Sequence, residues 1–368
     1  MIEKASRTRV VYLFGAGASH ACVKAVGSPH GILMRDLVPL LNVKVHDLLQ
    51  TRYSGDGTIT ALVNAVIGES TDFEHVITFL DESPSALHRR FADDLREAFE
   101  SVLRQRLDAI EAELGGARAS LYAALLDMYK VPGCPEELCG ALTINYDDYI
   151  EEAVATAYDQ PVDFGVHVHA ADSSKPGLRL LKLHGSFGWQ DAWPIPLSKA
   201  GTPLWIPPGI QKAKDRYPFN VLWGLARELL DCDVLRIVGC RLGANDWDLI
   251  SLLFTTRHAS HTNRPYTIEL IDAPLRAVEL QVAFPYLDVR SILEVEPIGS
   301  QLVSEFLGGA PRAYTNLAPE EQERVMDAAG SNKNWFRLWL KQKAEALFLE
   351  LGSVKTPLGA FENLLEAY

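Results

Sequence analysis

The run Val10-Val11-Tyr12-Leu13-Phe14-Gly15-Ala16-Gly17-Ala18-Ser19 passes from five apolar residues straight into a string of small ones. Five residues without a charge suit a strand covered on both faces of a parallel sheet. Small residues beyond it let backbone N–H groups at a helix start approach a diphosphate. The string lacks the third glycine of the usual dinucleotide fingerprint, and no acid stands about 20 residues on at the end of a second strand. A tight strand-to-helix turn with no ligand explains the same residues. The stretch therefore fixes a β-to-α transition and leaves the ligand to be decided elsewhere in the chain.

Working outward, short apolar runs of the same kind recur at 139–144, 180–183, 234–238 and 267–271. Between and around them lie helical patterns at 73–80, 90–113, 120–129, 149–158 and 219–230. Strands alternating with helices predict βαβ crossovers and an α/β, doubly wound parallel sheet. The mostly helical stretch from about 40 to 130 is too long for a simple crossover and reads as a helical insertion subdomain. A second insertion, 185–220, is rich in Trp and Pro, with Trp189, Trp193, Trp205, Pro207 and Pro208. After residue 300 a C-terminal helical extension follows. Ala318-Pro319-Glu320-Glu321 is a helix-start pattern, and the aromatic helix around Trp335 and Trp339 packs on the chain's own core or meets a partner. The domain reading is 1–300 for the α/β unit and 301–368 for the extension.

Composition excludes several classes. The chain has 368 residues, 48% hydrophobic and 23% charged, which is the balance of a globular protein with a core and not of a disordered one. Lys+Arg of 35 against Asp+Glu of 48 gives a net charge of −13, which opposes general binding to nucleic acid or anionic lipid. No apolar run approaches the roughly 18 residues of a membrane span, so no membrane association is expected. Five scattered cysteines and no visible secretion signal make a cytoplasmic location the economical expectation.

Chemistry gathers at the strand ends. Thr143-Ile144-Asn145-Tyr146-Asp147 closes the second strand and Lys182-Leu183-His184-Gly185-Ser186 the third, where the glycine leaves room for a sugar or ring. Val238-Gly239-Cys240-Arg241-Leu242, with Asn245-Asp246-Trp247-Asp248 after it, closes the fourth, and Ile271-Asp272 the fifth. Open parallel sheets bind ligands beyond the carboxyl ends of their strands. Each feature alone could be a capped turn, but five on one edge define a candidate site. His167 and His169, with Asp172 nearby, alternate as metal ligands on a strand could, although an exposed strand face explains them too. Asp148, Glu151 and Glu152 lie at a helix start, where acids favour the dipole whatever the function.

In this order, the motifs from Gly15, Thr143, Lys182 and Val238 and the late Asp272 resemble the sirtuin superfamily, most closely its bacterial branch found in anti-phage defence operons. Asp72-Phe73-Glu74 and Ile206-Pro207-Pro208 add to the resemblance, which covers roughly residues 8–300. It implies a Rossmann-like domain that binds NAD as substrate and breaks its nicotinamide–ribose bond. On that basis Gly15, Ala16, Gly17 and Ser19 hold the diphosphate, while Asn145 and His184 are the catalytic amide and imidazole. Thr143 lies in the same motif and Asp147 sits against the nicotinamide carboxamide. Gly239 and Cys240 approach the adenine ribose, and Asp272 meets the adenosine.

The residue types suit that chemistry independently. Cleaving an N-glycosidic bond builds positive charge on the ribose, so the site must orient the leaving group and direct a nucleophile to C1′. An asparagine orients a water or hydroxyl without a charge that would trap the cation. An imidazole, with an ordinary pKa of about 6.5, accepts the proton near neutrality. Deacylase sirtuins carry two cysteine pairs on zinc, and here Cys134 and Cys139 have no second pair, so no zinc is expected. The deacylases' Gly-Ile-Pro-x-Phe-Arg loop is also missing from 27–35. Hydrolysis of NAD by water is the expectation. An NAD or ADP-ribose sensor without turnover and a protein deacylase are the alternatives. A toxic NADase needs restraint, so the resemblance implies a homo-oligomer or a complex with an operon partner such as a HerA-type ATPase or a short Argonaute.

Overall fold

The computed structural model describes residues 7–61, 63, 73–158, 161–166, 177–189, 204–208, 214–259, 265–293 and 333–351. Trp193, His167, His169, Asp172, Asp72 and the helix start at 318–321 lie outside these residues. The centre of the molecule is β1 (Thr8–Phe14), whose last five residues are buried, as an uncharged strand covered on both faces must be. On one side lie β2 (Glu136–Thr143), β4 (Leu178–Lys182) and the edge strand β3 (Val162–Asp163). On the other lie β7 (Val234–Val238), β8 (Thr267–Ile271) and β9 (Val289–Ser291), and all seven strands run parallel.

The chain thus winds outward from β1 through β2 to β4, returns to β7 on the opposite flank and continues outward. That is the Rossmann order, with β3 added at one edge, and it opens a crevice beyond the carboxyl ends of β1 and β7. A two-stranded antiparallel ribbon, β5 (Gly185–Ser186) with β6 (Leu204–Trp205), stands just past β4. The four short strands β3, β5, β6 and β9, two or three residues each, carry too few positions for a periodic pattern and are not legible from sequence.

Helix α1 (Ala16–Ala25) leaves β1 directly. The insertion before β2 holds α2 (Met34–Thr51), α3 (Phe73–Glu82), α4 (Ala86–Leu114) and α5 (Ser120–Lys130), so it begins earlier than the composition suggests. It has a core of its own, with Val45, Leu49, Tyr53, Ile59, Phe91 and Leu95 buried together. A further cluster of Leu37, Leu41, Phe99 and Val102 with Phe187 and Trp205 joins the insertion to the β5–β6 ribbon. Later come α6 (Tyr149–Ala153), α7 (Phe219–Leu229), α8 (Trp247–Ala259) and α9 (Pro274–Ala283).

The described part of the C-terminal extension is α10 (Trp335–Leu351). Its Phe336 and Trp339 are each only 2% exposed and lie against Phe14 and Tyr12, with ring centroids 6.3 and 6.2 Å apart. Asn334 Nδ2 donates to Ala21 O of α1 at 2.7 Å. Of the two sequence readings of this helix, the buried Trp339 fits packing on the chain's own core.

Candidate functional site

At the β1–α1 turn, Gly15 N donates to Val238 O (3.0 Å) and Gly17 N to Gly239 O (2.8 Å), so the turn is knitted to the end of β7. Gly239 has φ +57°, and a Cβ there would lie 2.2 Å from Ala18 N; only glycine fits. The small residues therefore let two loops of this chain interlock. Ala16, exposed at the first helical position, is the part of the turn open to a ligand.

Beneath it is a hydrogen-bonded knot. Thr143 Oγ1 donates to Phe14 O (3.2 Å) and accepts from Asn145 N (3.1 Å), turning the chain at the end of β2. Asn145 Nδ2 donates to both Gly15 O and Ser19 Oγ, each at 3.0 Å, which leaves Oδ1 as the acceptor for a ligand. Ser19 is fully buried. Its hydroxyl accepts from Asn145, donates to Asp147 Oδ1 (3.1 Å) and lies 3.0 Å from Tyr122 Oη. Ser19 lies below the β1–α1 turn, holding Asn145 and Asp147. Asp147 Oδ1 also accepts from Tyr149 N (3.4 Å) at the start of α6, and burial pushes its carboxyl upward against the pull of Lys182.

His184 stands one strand over. Thr143 pairs with Lys182 across β2 and β4, so Asn145 and His184 each lie two residues beyond a matched pair. His184 is buried, and its carbonyl accepts from Ile206 N at 2.8 Å. Its ring lies 6.4 Å from that of Tyr146, centroid to centroid. Tyr146 stacks on Phe187 at 5.2 Å, meets Trp205 edge-on at 5.2 Å and donates to Ile206 O at 2.8 Å. Arg104 of α4 covers the other side, its guanidinium 4.6 Å from the Phe187 centroid. This aromatic wall brings the helical insertion to the site. The room expected beside His184 is taken by the chain itself, since a Cβ on Gly185 (φ +74°) would meet Leu204 O at 2.2 Å.

Cys240 is buried with its Cα packed against Gly15, and burial pushes its thiol up to about 12, which leaves it inert. Asp272, half-buried, follows the Val238–Ile271 pair, accepts from Ala273 N (2.7 Å) and is likewise raised by burial. The structure thus gathers Gly15, Ser19, Thr143, Asn145 and Asp147 in one contact network and sets Gly239 and Cys240 against it. His184 and Asp272 stand at neighbouring strand ends. Sequence reasoning missed Tyr122, quoted Tyr146 and Lys182 in the motifs without giving them a role, and read Glu151 only as a helix-start acid. Lys182 offered a signal, a charge in the last position of an otherwise apolar strand. Among the described residues no group of three or more His, Cys, Asp or Glu could hold a metal, and no helix is long and apolar enough to cross a membrane.

Strand order and crevice define an α/β protein with a Rossmann-like parallel sheet and a polar site at its switch point. No protein-family model and no curated protein matches the chain. Solved structures that resemble it include three mutant forms of a Sir2 homologue in complex with ADP ribose. Each is 15% identical over 86% of this chain and 100% of the other, with TM-scores of 0.30, 0.32 and 0.30. Likeness at that level carries no argument, and the fold stands on this chain's own strand order.

Proposed function

We propose that the chain is an NAD glycohydrolase that cleaves NAD to nicotinamide and ADP-ribose, and that it serves as the effector of an anti-phage defence system. The observation that carries the reading is Asn145. Both of its amide hydrogens are committed to Gly15 and Ser19, which leaves Oδ1 as a neutral acceptor beside the β1–α1 turn. In the reaction the C1′–N bond breaks, nicotinamide leaves with the bonding pair, and positive charge spreads over the ribose. Asn145 Oδ1 orients the attacking water or a ribose hydroxyl without adding charge, and His184 takes the proton released as the C1′–O bond forms. The Tyr146–Phe187–Trp205 wall, whose Tyr146 ring lies 6.4 Å from that of His184, gives this side of the site an apolar lining.

Purified protein incubated with NAD is expected to release nicotinamide, and Asn145→Ala and His184→Ala to lose about 10²–10⁴-fold in rate. Full activity in either variant, or intact NAD under all assembly conditions, overturns the reading. Tight calorimetric binding of NAD without nicotinamide release would identify a sensor instead, and release dependent on an acetylated peptide a deacylase. For the defence role, phage infection of cells carrying the protein with its operon neighbour, a HerA-type ATPase for example, is expected to collapse cellular NAD. Light scattering on the isolated and mixed proteins tests the expected oligomer.

A further inference from the structure

Lys182 is the last residue of β4, and its side chain is 0% exposed. An ammonium removed from water must be paired. Its Nζ donates to the main-chain Asp147 O and, at 2.6 Å, to Glu151 Oε1 in the first turn of α6. Its own backbone leads within two residues to His184, and the neighbouring Leu183 N donates to Thr143 O at 2.9 Å. One residue therefore touches both halves of the site. Its main chain belongs to the strand that presents His184, and its side chain grips the 145–148 loop from below.

We infer that Lys182 is a positioning residue, locking the Asn145–Asp147 loop to the strand of His184. The inference rests on the NAD-cleaving reading for its kinetic consequence, though not for the clamp itself. An apolar side chain would fill the same space without the desolvation cost of a buried ion pair. Electrostatics fits the chemistry as well. A bare ammonium under the site would oppose the positive charge developing on the ribose, and Glu151 neutralises it in place. The loop has no regular structure between β2 and α6. Its geometry is held by this clamp together with the Asn145–Gly15–Ser19 contacts, the Thr143 and Ser19 bonds to Asn145 N and Asp147, and the Tyr146 bonds to Ser186 and Ile206. Small misplacements of reacting groups are costly in rate.

The test is the doubly neutral variant Lys182→Met with Glu151→Leu, read by thermal unfolding, by kcat and KM for NAD, and by hydrogen exchange of the peptide covering 143–150. Removing both charges together avoids leaving Glu151 as an unpaired buried carboxylate, and the lost bond to Asp147 O is the clamp contact under test. The expected result is a folded protein whose kcat falls about 10- to 100-fold, with KM within about threefold and faster exchange confined to that peptide. A folded double variant with unchanged kcat and unchanged exchange overturns the inference. If the wild type itself releases no nicotinamide, the NADase reading fails, and exchange alone decides: faster local exchange supports the clamp and unaltered exchange refutes it. Should the double variant not fold, Glu151→Asp, which keeps the charge but draws the carboxylate back by one methylene, is read in the same three ways: a smaller fall in kcat with faster exchange at 143–150 supports the clamp, and wild-type values of both overturn it.

Discussion

Asn145 Nδ2 approaches Gly15 O at 3.0 Å, so Asn145→Asp puts a carboxylate oxygen against a carbonyl oxygen at nearly the same size. Two buried donors disappear and a charge takes their place. The expected loss is roughly 1–3 kcal/mol of folding stability together with NAD turnover. Ser19→Ala leaves Asn145, Tyr122 and Asp147 each short of a partner, and a loss of the same order is expected. Urea unfolding of both variants beside the wild type checks this. A Ser19→Ala protein as stable as the parent would mean that the knot does not hold as described. The same residues show where sequence stops. The Gly-Ala-Gly-Ala-Ser string announces a turn, but which way Ser19 faces depends on Tyr122 and Asp147, more than 100 residues further along the chain.

Among the elements, α10 and the helical insertion do different work. α10 lays Phe336, Trp339 and Leu340 on β1 and α5, and Trp339 also stacks over the buried Arg236 guanidinium at 5.4 Å. Trp339→Ala is expected to cost about 3–5 kcal/mol, as for other buried tryptophans. It is expected to leave the elution position of the folded fraction unchanged. A stable Trp339→Ala protein with altered oligomeric state by light scattering would put the helix at an interface. The insertion instead reaches the site, through Phe99 and Arg104 of α4 and Phe73 of α3. Its helices α3, α4 and α5 were legible because their apolar positions recur with the helical period, whereas α2 was not picked out as a separate helix. The docking onto Tyr146 was not, because an aromatic residue on a helix looks alike whether it faces its own subdomain or another's.

At the scale of the molecule, five apolar strands and the order of their polar ends were readable because each strand carries its own burial signal. What holds the sheet's centre together was not. Arg236 in β7 makes a bidentate pair with Glu136 of β2 (2.7 and 2.8 Å), bonds Glu269 of β8 at 2.8 Å and contacts the Tyr12–Tyr129 pair. Lys343 of α10 reaches the same Glu136 at 2.7 Å. A charge inside an apolar strand demands a partner, but its position exactly 100 residues away cannot be read from either end. Burial opposes ionisation of Glu136, yet Arg236 and Lys343 outweigh it and hold the carboxyl down, from 4.5 to about 2. A carboxyl with a depressed folded pKa contributes stability that is present above its unfolded value and lost as pH falls through the folded one. The window here is therefore about pH 4.5 down to 2, and the contribution is roughly 3 kcal/mol. Glu136→Gln removes that titration, so the stability gap between wild type and variant is expected to be widest near pH 6 and to narrow steadily below pH 4.5. Urea unfolding at pH 6, 4 and 3 measures it, and a gap that stays constant across the three would show that Glu136 is not held ionised by this network.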